Sequence, residues 1–309
     1  MPEPSKLQRL KAALAARGLS PRKMFGQNFM VDTNFAAAIA RDATLDRQSL
    51  AIEVGPGTGL LTEALLASSP DARVLAIEID RGLADLLRET FAAELSSGRL
   101  TLLEGDALSG KHRLNPELAS QIREIKSREN RPRVVLCSNL PYNAGTPIIA
   151  IAATDADDTG ISEALVTVQL ELAERMLAQT GSEEYGALSA LIALRATGRI
   201  ERVIGAEVFW PRPRVDSALL RLEFLPWPLP VPHPTLSHKG RGEPLQKDEV
   251  AGFQAFLQQV FSQRRKTLRA ALKPRVLPDE LAAWGERRAE TVAPIELLSI
   301  YRGLVAADG

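Results

Sequence analysis

Between about residues 50 and 170, short apolar runs alternate with longer segments that have helical spacing. In those longer segments, of which Leu60 to Leu66 is one, apolar residues recur three and four positions apart, as on the buried face of a helix. Alternating strands and helices are typical of a parallel sheet covered by helices. The pattern therefore predicts an α/β fold with strands at Leu50–Val54, Arg73–Ile77, Leu100–Leu103, Val134–Cys137 and Glu163–Val168.

The remainder of the chain combines two further strands with helices. Strand character returns at Arg199–Ile204 and Ser217–Phe224, on either side of the proline-rich stretch Phe209–Arg214. Helical spacing predicts helices at 5–17, 34–43, 115–133, about 170–179, after Gly186, at Glu249–Phe261, Gln263–Leu272, Asp279–Trp284 and Ile295–Leu304.

One segment cannot contribute to a core. Residues 226–242 carry five prolines between Pro226 and Pro234, followed by a Lys-Gly-Arg-Gly run, which is typical of an extended linker. We therefore expect a basic N-terminal arm over 1–48, a sheet domain over 49–225, a linker or insertion over 226–248, and a small helical domain over 249–309.

Composition places few restrictions on the class of protein. The 309 residues are 45% apolar, enough for a large domain and a smaller one. A single cysteine, Cys137, cannot form an internal disulfide and is expected as a buried core thiol. No apolar run approaches the length of a membrane span, and residues 1–22 are polar and basic. We therefore expect a cytoplasmic enzyme that does not bind a membrane.

The net charge of zero conceals three basic clusters. Residues 1–24 carry six lysines and arginines against one acid, and Arg264, Arg265, Lys266 and Arg269 form a second cluster. The third cluster is Lys126, Arg128, Arg131 and Arg133. Such clusters suit a polyanionic partner, although each of them is also compatible with a solvated helix face.

Three predicted strands end in groups that suit an adenosine-like ligand. The first strand leads into Gly55-Pro56-Gly57-Thr58-Gly59, and glycines there allow close approach of the backbone to a ligand. Glu78 ends the second strand, where a carboxylate can accept both ribose hydroxyls. Asp106 follows the third and can accept a hydrogen bond from an adenine amino group. Taken singly, Glu78, Asp80 and Asp106 are equally compatible with helix caps or solvated loop charges.

A fourth strand end suggests amine chemistry on a flat base. Asn139-Leu140-Pro141-Tyr142 follows the apolar run Val134–Cys137, and ligand sites of open α/β sheets lie at the carboxyl ends of strands. The Asn139 carboxamide can accept a hydrogen bond from an amino group. Pro141 restricts the loop, and Tyr142 offers a face on which a nucleobase can stack.

Five blocks in one order resemble the ribosomal RNA adenine dimethyltransferase family, in its bacterial small-subunit (16S) form. The blocks span nearly the whole chain, and they are Phe25–Phe29, Glu53–Gly59, Asn139–Asn143, Phe209–Ser217 and Gln263–Arg269. The resemblance implies a class I S-adenosylmethionine-dependent methyltransferase, with a Rossmann-like sheet and a small C-terminal α-helical domain.

The resemblance also implies a site and a substrate. The cofactor would be S-adenosyl-L-methionine, bound by Asn28, Met30, Gly55, Gly57, Glu78, Asp106 and Asn139. The target would be N6 of two adjacent adenines near the 3′ end of small-subunit rRNA, each methylated twice, within the assembling 30S subunit. Arg264, Arg265, Lys266 and Arg269 would bind RNA. We expect a monomer without a metal.

The chemistry expected at the site needs alignment rather than a base. The Asn139 side chain and the Pro141 carbonyl would hold the amine hydrogens, while Tyr142 and Phe209 would stack on the two faces of a flipped adenine. Phe209 is also compatible with a plain core position. No histidine lies within the five blocks.

Some positions depart from the family, and two other functions stay open. The family usually has Leu at Met30, a lysine is missing beside Gln169, and the segments at 115–133 and 226–248 are longer than typical. The alternatives are methylation of another nucleic acid, such as large-subunit rRNA in antibiotic resistance, and a ribosome assembly factor that binds RNA without methylating it.

Overall fold

The computed structural model describes residues 6–110, 113–142, 144–154, 159–225, 245–273 and 282–308. Most of the segment that the sequence predicts as a linker, 226–244, lies outside the described residues, as do His112, His233 and His238. The α-helices are α1 Lys6–Ala16, α2 Thr33–Ala43, α3 Leu60–Ser68, α4 Arg81–Thr90, α5 Ala92–Ser96, α6 Pro116–Arg128, α7 Gly145–Thr154, α8 Leu170–Leu177, α9 Ala187–Arg195, α10 Val250–Phe261, α11 Leu268–Ala271, α12 Ala282–Gly285 and α13 Pro294–Asp308.

Nine strands form two sheets in the described part of the chain. A two-stranded antiparallel sheet pairs β1 with β8, and a seven-stranded sheet has the order β4-β3-β2-β5-β6-β9-β7. From β4 to β6 the neighbours are parallel, which confirms the predicted α/β fold. The strands are β1 Phe29–Met30, β2 Ser49–Val54, β3 Val74–Glu78, β4 Leu100–Glu104, β5 Arg133–Asn139, β6 Ile161–Gln169, β7 Ala196–Ile204, β8 Phe209–Trp210 and β9 Ser217–Phe224.

The central strands are apolar because both of their faces are covered. Every residue of β2 and β3 is buried, as expected for parallel strands between two helical layers. Cys137 in β5 is fully buried, and burial raises the pKa of its thiol to about 12. The prediction of a buried core thiol is therefore confirmed.

Polar side chains cap the first turns of the helices that follow β3 and β4. The Asp80 carboxylate caps α4 by accepting hydrogen bonds from the amides of Gly82 and Leu83. Asn115 caps α6 in the same way, with Pro116 in the first turn, where a missing amide hydrogen costs nothing. The turns that lead into these helices follow the carboxyl ends of parallel strands, which is where the functional residues lie.

The chain divides into two compact units. The first consists of Met1–Leu170 and Ile200–Leu222, and the second of Glu171–Arg199 and Glu223–Gly309. The second unit therefore includes residues 171–199, which the sequence pattern had placed in the predicted 49–225 domain. In this unit α9, α10 and α13 pack against one another.

The predicted helix over Gln263–Leu272 is only partly correct. The chain makes a turn after Phe261, with the Lys266 amide donating to the Gln263 carbonyl, and Thr267 then forms a bridge with Arg288. Only Leu268–Ala271 is helical. Arg264, Arg265 and Lys266 therefore lie on an exposed turn rather than on a helix face.

No helix in the described ranges is long and apolar enough to cross a membrane.

Candidate active site

The glycine loop after β2 is held between two other parts of the chain. Gly55 and Gly57 have φ of 68° and 59°, in the left-handed region that favours glycine. A Cβ on Gly57 would lie 2.9 Å from Cδ1 of Phe29, and one on Gly55 would lie 3.3 Å from Cγ of Pro141. The loop thus packs directly against the N-terminal block and the Asn139 loop.

A cavity at the carboxyl ends of the strands brings the predicted cofactor residues together. It is lined by residues of the N-terminal block, the glycine loop, the Asn139 loop and the end of β3. Among them are Asn28, Met30, Gly55, Gly57, Glu78 and Asn139. A second cavity is lined by Asp106 and shares Phe25, Gly55, Ile79 and Pro141 with the first. The predicted cofactor-binding residues therefore all line one of two adjoining cavities.

Glu78 is fixed by backbone hydrogen bonds. One carboxylate oxygen accepts from the Gly57 amide at 2.9 Å and the other accepts from the Asp80 amide at 2.9 Å. Burial raises the pKa of Glu78, although both amides oppose that rise. The arrangement links the glycine loop to the end of β3.

Asp80 and Asp106 differ in their roles. Asp80 is the helix cap described above, and its other oxygen is 3.4 Å from Nε of Arg22, so Asp80 has a structural role. Asp106 is exposed, and one of its oxygens accepts a hydrogen bond from the Leu108 amide at 2.9 Å. Its second oxygen can accept a hydrogen bond from a ligand.

Glu53 is a cavity residue that the sequence pattern did not single out. It lies in β2, lines the first cavity and is only 2% exposed. Burial raises its pKa to about 8, while the hydrogen bond from the Thr62 hydroxyl at 2.7 Å opposes the rise and nearby Glu78 adds to it. An acidic residue inside an otherwise apolar strand was the available signal.

We expect Glu53 to make stability decrease as pH rises. Because its folded-state pKa lies above the ordinary value of 4.5, the folded state binds more protons between pH 4.5 and 8, and a tenfold difference in proton affinity is worth about 1.4 kcal/mol. Glu53→Gln keeps an acceptor for Thr62 but does not titrate. Thermal melts should therefore show a drop in Tm from pH 6 to pH 8 that is smaller by roughly 5 °C in the variant. Identical pH profiles would contradict this assignment.

Asn139 connects the catalytic block to the N-terminal block. Its side-chain Nδ2 donates to the backbone carbonyl of Asn28 at 2.9 Å, which leaves Oδ1 as an acceptor. The Leu140 amide donates to the carbonyl of Thr167 on β6 at 3.1 Å. The amide oxygen is therefore held in place from two sides.

The Pro141 carbonyl is not available in the way the sequence predicted. It already accepts hydrogen bonds from the amides of Ala144 and Gly145 at 2.9 and 3.0 Å, because α7 begins there. Two donors occupy both of its lone pairs. None of the described residues donates to the Leu140 carbonyl, and Leu140 also lines the cavity. The second acceptor in the loop is therefore that of Leu140, and Pro141 contributes shape.

Tyr142 is half-buried, and its hydroxyl lies 3.3 Å from Oγ of Ser217. Ser217 is fully buried at the start of β9. Tyr142 lines the first cavity, so this contact orients the ring beside Asn139.

We expect Ser217→Ala to lower kcat/KM for the methyl transfer that the resemblance implies about two- to tenfold, because one hydrogen bond to the ring hydroxyl is worth roughly 0.5–1.5 kcal/mol. Tyr142→Phe removes the same contact from the other side. The double variant should therefore lose no more than either single variant, while cofactor affinity stays unchanged. Additive losses would show that the two residues act separately.

Phe209 is not placed where a stacking residue would be. Its ring is 3% exposed within the hydrophobic core and lines neither cavity. It is connected to the site through β8, which pairs Phe209 with Met30 and Trp210 with Phe29, and through the core cluster that it shares with Met30. Stacking by Phe209 on a base stays a prediction that requires the ring to be uncovered.

The basic clusters are engaged to different degrees. In the third cluster, Arg133 pairs with Glu163 at 2.7 Å, and Arg131 pairs with Glu129 and also donates to backbone carbonyls. These two side chains hold the amino ends of the strands and are not free for a polyanion.

In the turn after α10, Arg264 donates to the carbonyls of Glu183 and Tyr185. Arg269, in α11, pairs with Glu286 at 2.9 Å. Arg265 and Lys266 are exposed. RNA binding by this block stays a prediction.

The parallel sheet, the glycine loop after β2 and the acidic residue at the end of β3 together define the class I S-adenosylmethionine-dependent methyltransferase fold. Two solved structures share this fold: a dimethyladenosine transferase from Plasmodium falciparum (TM-score 0.61, 21% identity, 88% of this chain and 95% of that chain) and a 23S rRNA methyltransferase (TM-score 0.55, 22% identity, 90% of this chain and 100% of that chain).

Sequence comparison is more specific. The family model for ribosomal RNA adenine dimethylase matches residues 18–303. Proteins called ribosomal RNA small subunit methyltransferase A are similar to this chain: one from Bifidobacterium adolescentis is 34% identical, covering 96% of this chain and 92% of its own length, and one from Ruegeria pomeroyi is 36% identical, covering 93% and 92%. The chain belongs to the ribosomal RNA adenine dimethylase family.

Proposed function

We propose that this protein transfers methyl groups from S-adenosyl-L-methionine to N6 of two adjacent adenines in the 3′-terminal hairpin of small-subunit (16S) rRNA. The observation that carries the proposal is the tethered Asn139 carboxamide beside the glycine loop and Glu78, in a chain that is similar to small subunit methyltransferases over nearly its whole length. We also infer that it acts in the cytoplasm as a monomer, without a metal.

The adjoining cavities fit the cofactor. The positive φ at Gly57 and the lack of space for a Cβ keep its backbone close to the cavity. The buried Glu78 and the exposed Asp106 present acceptors at the ends of the neighbouring strands β3 and β4, one lining each of the two cavities. Glu78 suits the ribose hydroxyls and Asp106 the adenine amine. Two buried carboxyls, Glu53 and Glu78, also favour a cationic ligand, because a nearby positive charge offsets the burial that raises their pKa.

The bound cofactor supplies an electrophilic methyl group on a sulfonium. The target N6 is a poor nucleophile because its lone pair is delocalised into the purine ring. Acceptors at Asn139 Oδ1 and the Leu140 carbonyl hold its two hydrogens and direct the lone pair toward the methyl carbon. Such positioning supplies much of the rate. The methylated nitrogen loses its proton readily, so no dedicated base is required.

Tyr142 provides the stacking surface for the flipped base. The ring is half-buried at the cavity edge and oriented by Ser217. Stacking on an aromatic ring replaces the contacts that the base loses when it leaves its helix.

The test is methyl transfer from labelled S-adenosyl-L-methionine to small ribosomal subunits that lack the modification, with the product nucleoside identified by mass spectrometry. We expect dimethyladenosine in small-subunit RNA and none in free large-subunit RNA. Label in large-subunit RNA instead would identify the protein as a large-subunit rRNA methyltransferase of the antibiotic-resistance type. Tight binding of cofactor and subunit without transfer would make it a non-catalytic assembly factor.

A further inference from the structure

The loop of residues 211–216, called here the rim loop, is attached to the site at both ends. It follows β8, which pairs with β1 of the N-terminal block. It leads directly into Ser217, whose hydroxyl contacts Tyr142. The Asp216 carbonyl also accepts a hydrogen bond from the Leu170 amide at 3.0 Å. The rim loop therefore has a fixed position beside the catalytic loop.

Two arginines in the rim loop have no partner among the described residues. Arg212 and Arg214 are exposed, and neither forms an ion pair or hydrogen bond with any residue in the described part of the chain. Many other arginines of this unit are engaged, as Arg131 and Arg133 are. Val215, next to Arg214, is 47% exposed. The rim loop thus presents two cationic side chains and one apolar side chain without an internal partner.

We propose that Arg212 and Arg214 bind the RNA phosphates that flank the target adenine. The inference rests on the proposed function: when a base enters the cavity, its own sugar and phosphates stay at the cavity mouth. Tyr142 marks where the base lies, and Ser217 places the rim loop next to that ring. The planar guanidinium of arginine presents its N–H donors as a fork, so it can donate two parallel hydrogen bonds to the oxygens of one phosphate. These contacts position the nucleotide without reading its sequence.

The phosphate contacts have a signature that a structural role would not produce. Removing one phosphate-binding cation reduces the slope of log binding constant against log salt concentration by roughly 0.7–0.9. The variant R212Q/R214Q should therefore have a slope shallower by about 1.5, and its KM for small subunits lacking the modification should rise about tenfold or more. Both kcat and the affinity for S-adenosyl-L-methionine should change less than about threefold.

Two further variants complete the experiment. Arg47→Gln is the matched control, because Arg47 is also exposed but precedes β2 at the opposite edge of the sheet; it should behave as the wild type. R212K/R214K keeps both charges and should restore the salt slope, with KM between the other two values.

The proposal is overturned if R212Q/R214Q has the salt slope and KM of the wild type, or if R47Q changes them equally. It is also overturned if only kcat falls. The wild-type protein separates this proposal from the proposed function. If it fails to methylate small subunits, the function is wrong, while the salt slope for binding the same subunits still reports on the two arginines.

Discussion

Replacing Asn139 with Ala should lower kcat for methyl transfer by about 10²–10³-fold, a loss typical of removing one positioned hydrogen-bonding group that acts in the transition state. The alanine removes the Oδ1 acceptor and also the donor to the Asn28 carbonyl. Because Asn139 lies at the end of β5 and is only partly buried, the fold should be retained. Affinity for S-adenosyl-L-methionine should fall by no more than about tenfold, since the glycine loop and Glu78 are untouched.

Asn139→Asp separates the two roles of the side chain. Aspartate keeps an acceptor at the same position but cannot donate to Asn28, so it places a carboxylate against a carbonyl. If the acceptor is what matters, Asp should retain much more activity than Ala. Equal losses in Asp and Ala would show that the tether to Asn28 is the essential part, and that the amine is held by another group.

The measurement is single-turnover methyl transfer to small subunits lacking the modification, with cofactor affinity obtained separately by calorimetry. Single turnover excludes product release from the comparison. An Asn139→Ala protein with the wild-type single-turnover rate would rule out the role assigned to this side chain.

Replacing Gly57 with Ala should weaken binding of S-adenosyl-L-methionine about 100-fold or more. The new Cβ would lie 2.9 Å from Cδ1 of the Phe29 ring, closer than Cβ atoms pack, and a tight 3.2 Å from Cε1. Phe29 is 6% exposed, packs near Trp210 and has little room to move. The loop must therefore shift, and the Gly57 amide then leaves the Glu78 carboxylate that it contacts at 2.9 Å.

Gly98→Ala is the matched control for backbone strain. Gly98 has a φ of 75°, but no atom lies within 4 Å of an added Cβ. Both variants should lose about 1 kcal/mol of folding free energy from the strained φ, and only Gly57→Ala should lose cofactor affinity. Calorimetric titration and chemical denaturation measure the two quantities. Equal cofactor affinity in the two variants would contradict the packing argument.

The local pattern of the chain was sufficient for the sheet and for the position of the site. The buried strands β2, β3 and β5 read as apolar runs because both of their faces are covered, so each run had one interpretation. Parallel strands bring their carboxyl ends to one edge, which is why the sequence alone assigns Gly57, Glu78, Asp106 and Asn139 to one region.

What the sequence left open is which group each functional side chain or carbonyl contacts in the fold. The Pro141 carbonyl was predicted to be an acceptor, and only the start of α7 shows that two amides occupy it. Glu53 looked like part of a strand, and its raised pKa results from burial, to which nearby Glu78 adds while the hydrogen bond from Thr62 opposes the rise. Arg131 and Arg133 looked free, but Glu129 and Glu163 approach them in the fold.

The sequence by itself determined the seven strands of the large sheet, most of the helices, the order of the blocks and the residue types at the site, because periodicity and turn chemistry are local properties. The short strands β1 and β8 were not predicted, because they exist only through their pairing with each other. Only the tertiary structure decided which donors reach which acceptors, that Tyr142 is oriented by Ser217, and that Arg212 and Arg214 stay uncommitted beside it. Those contacts join residues that are separated by tens of positions, and their free energy depends on burial and distance, which no local pattern encodes.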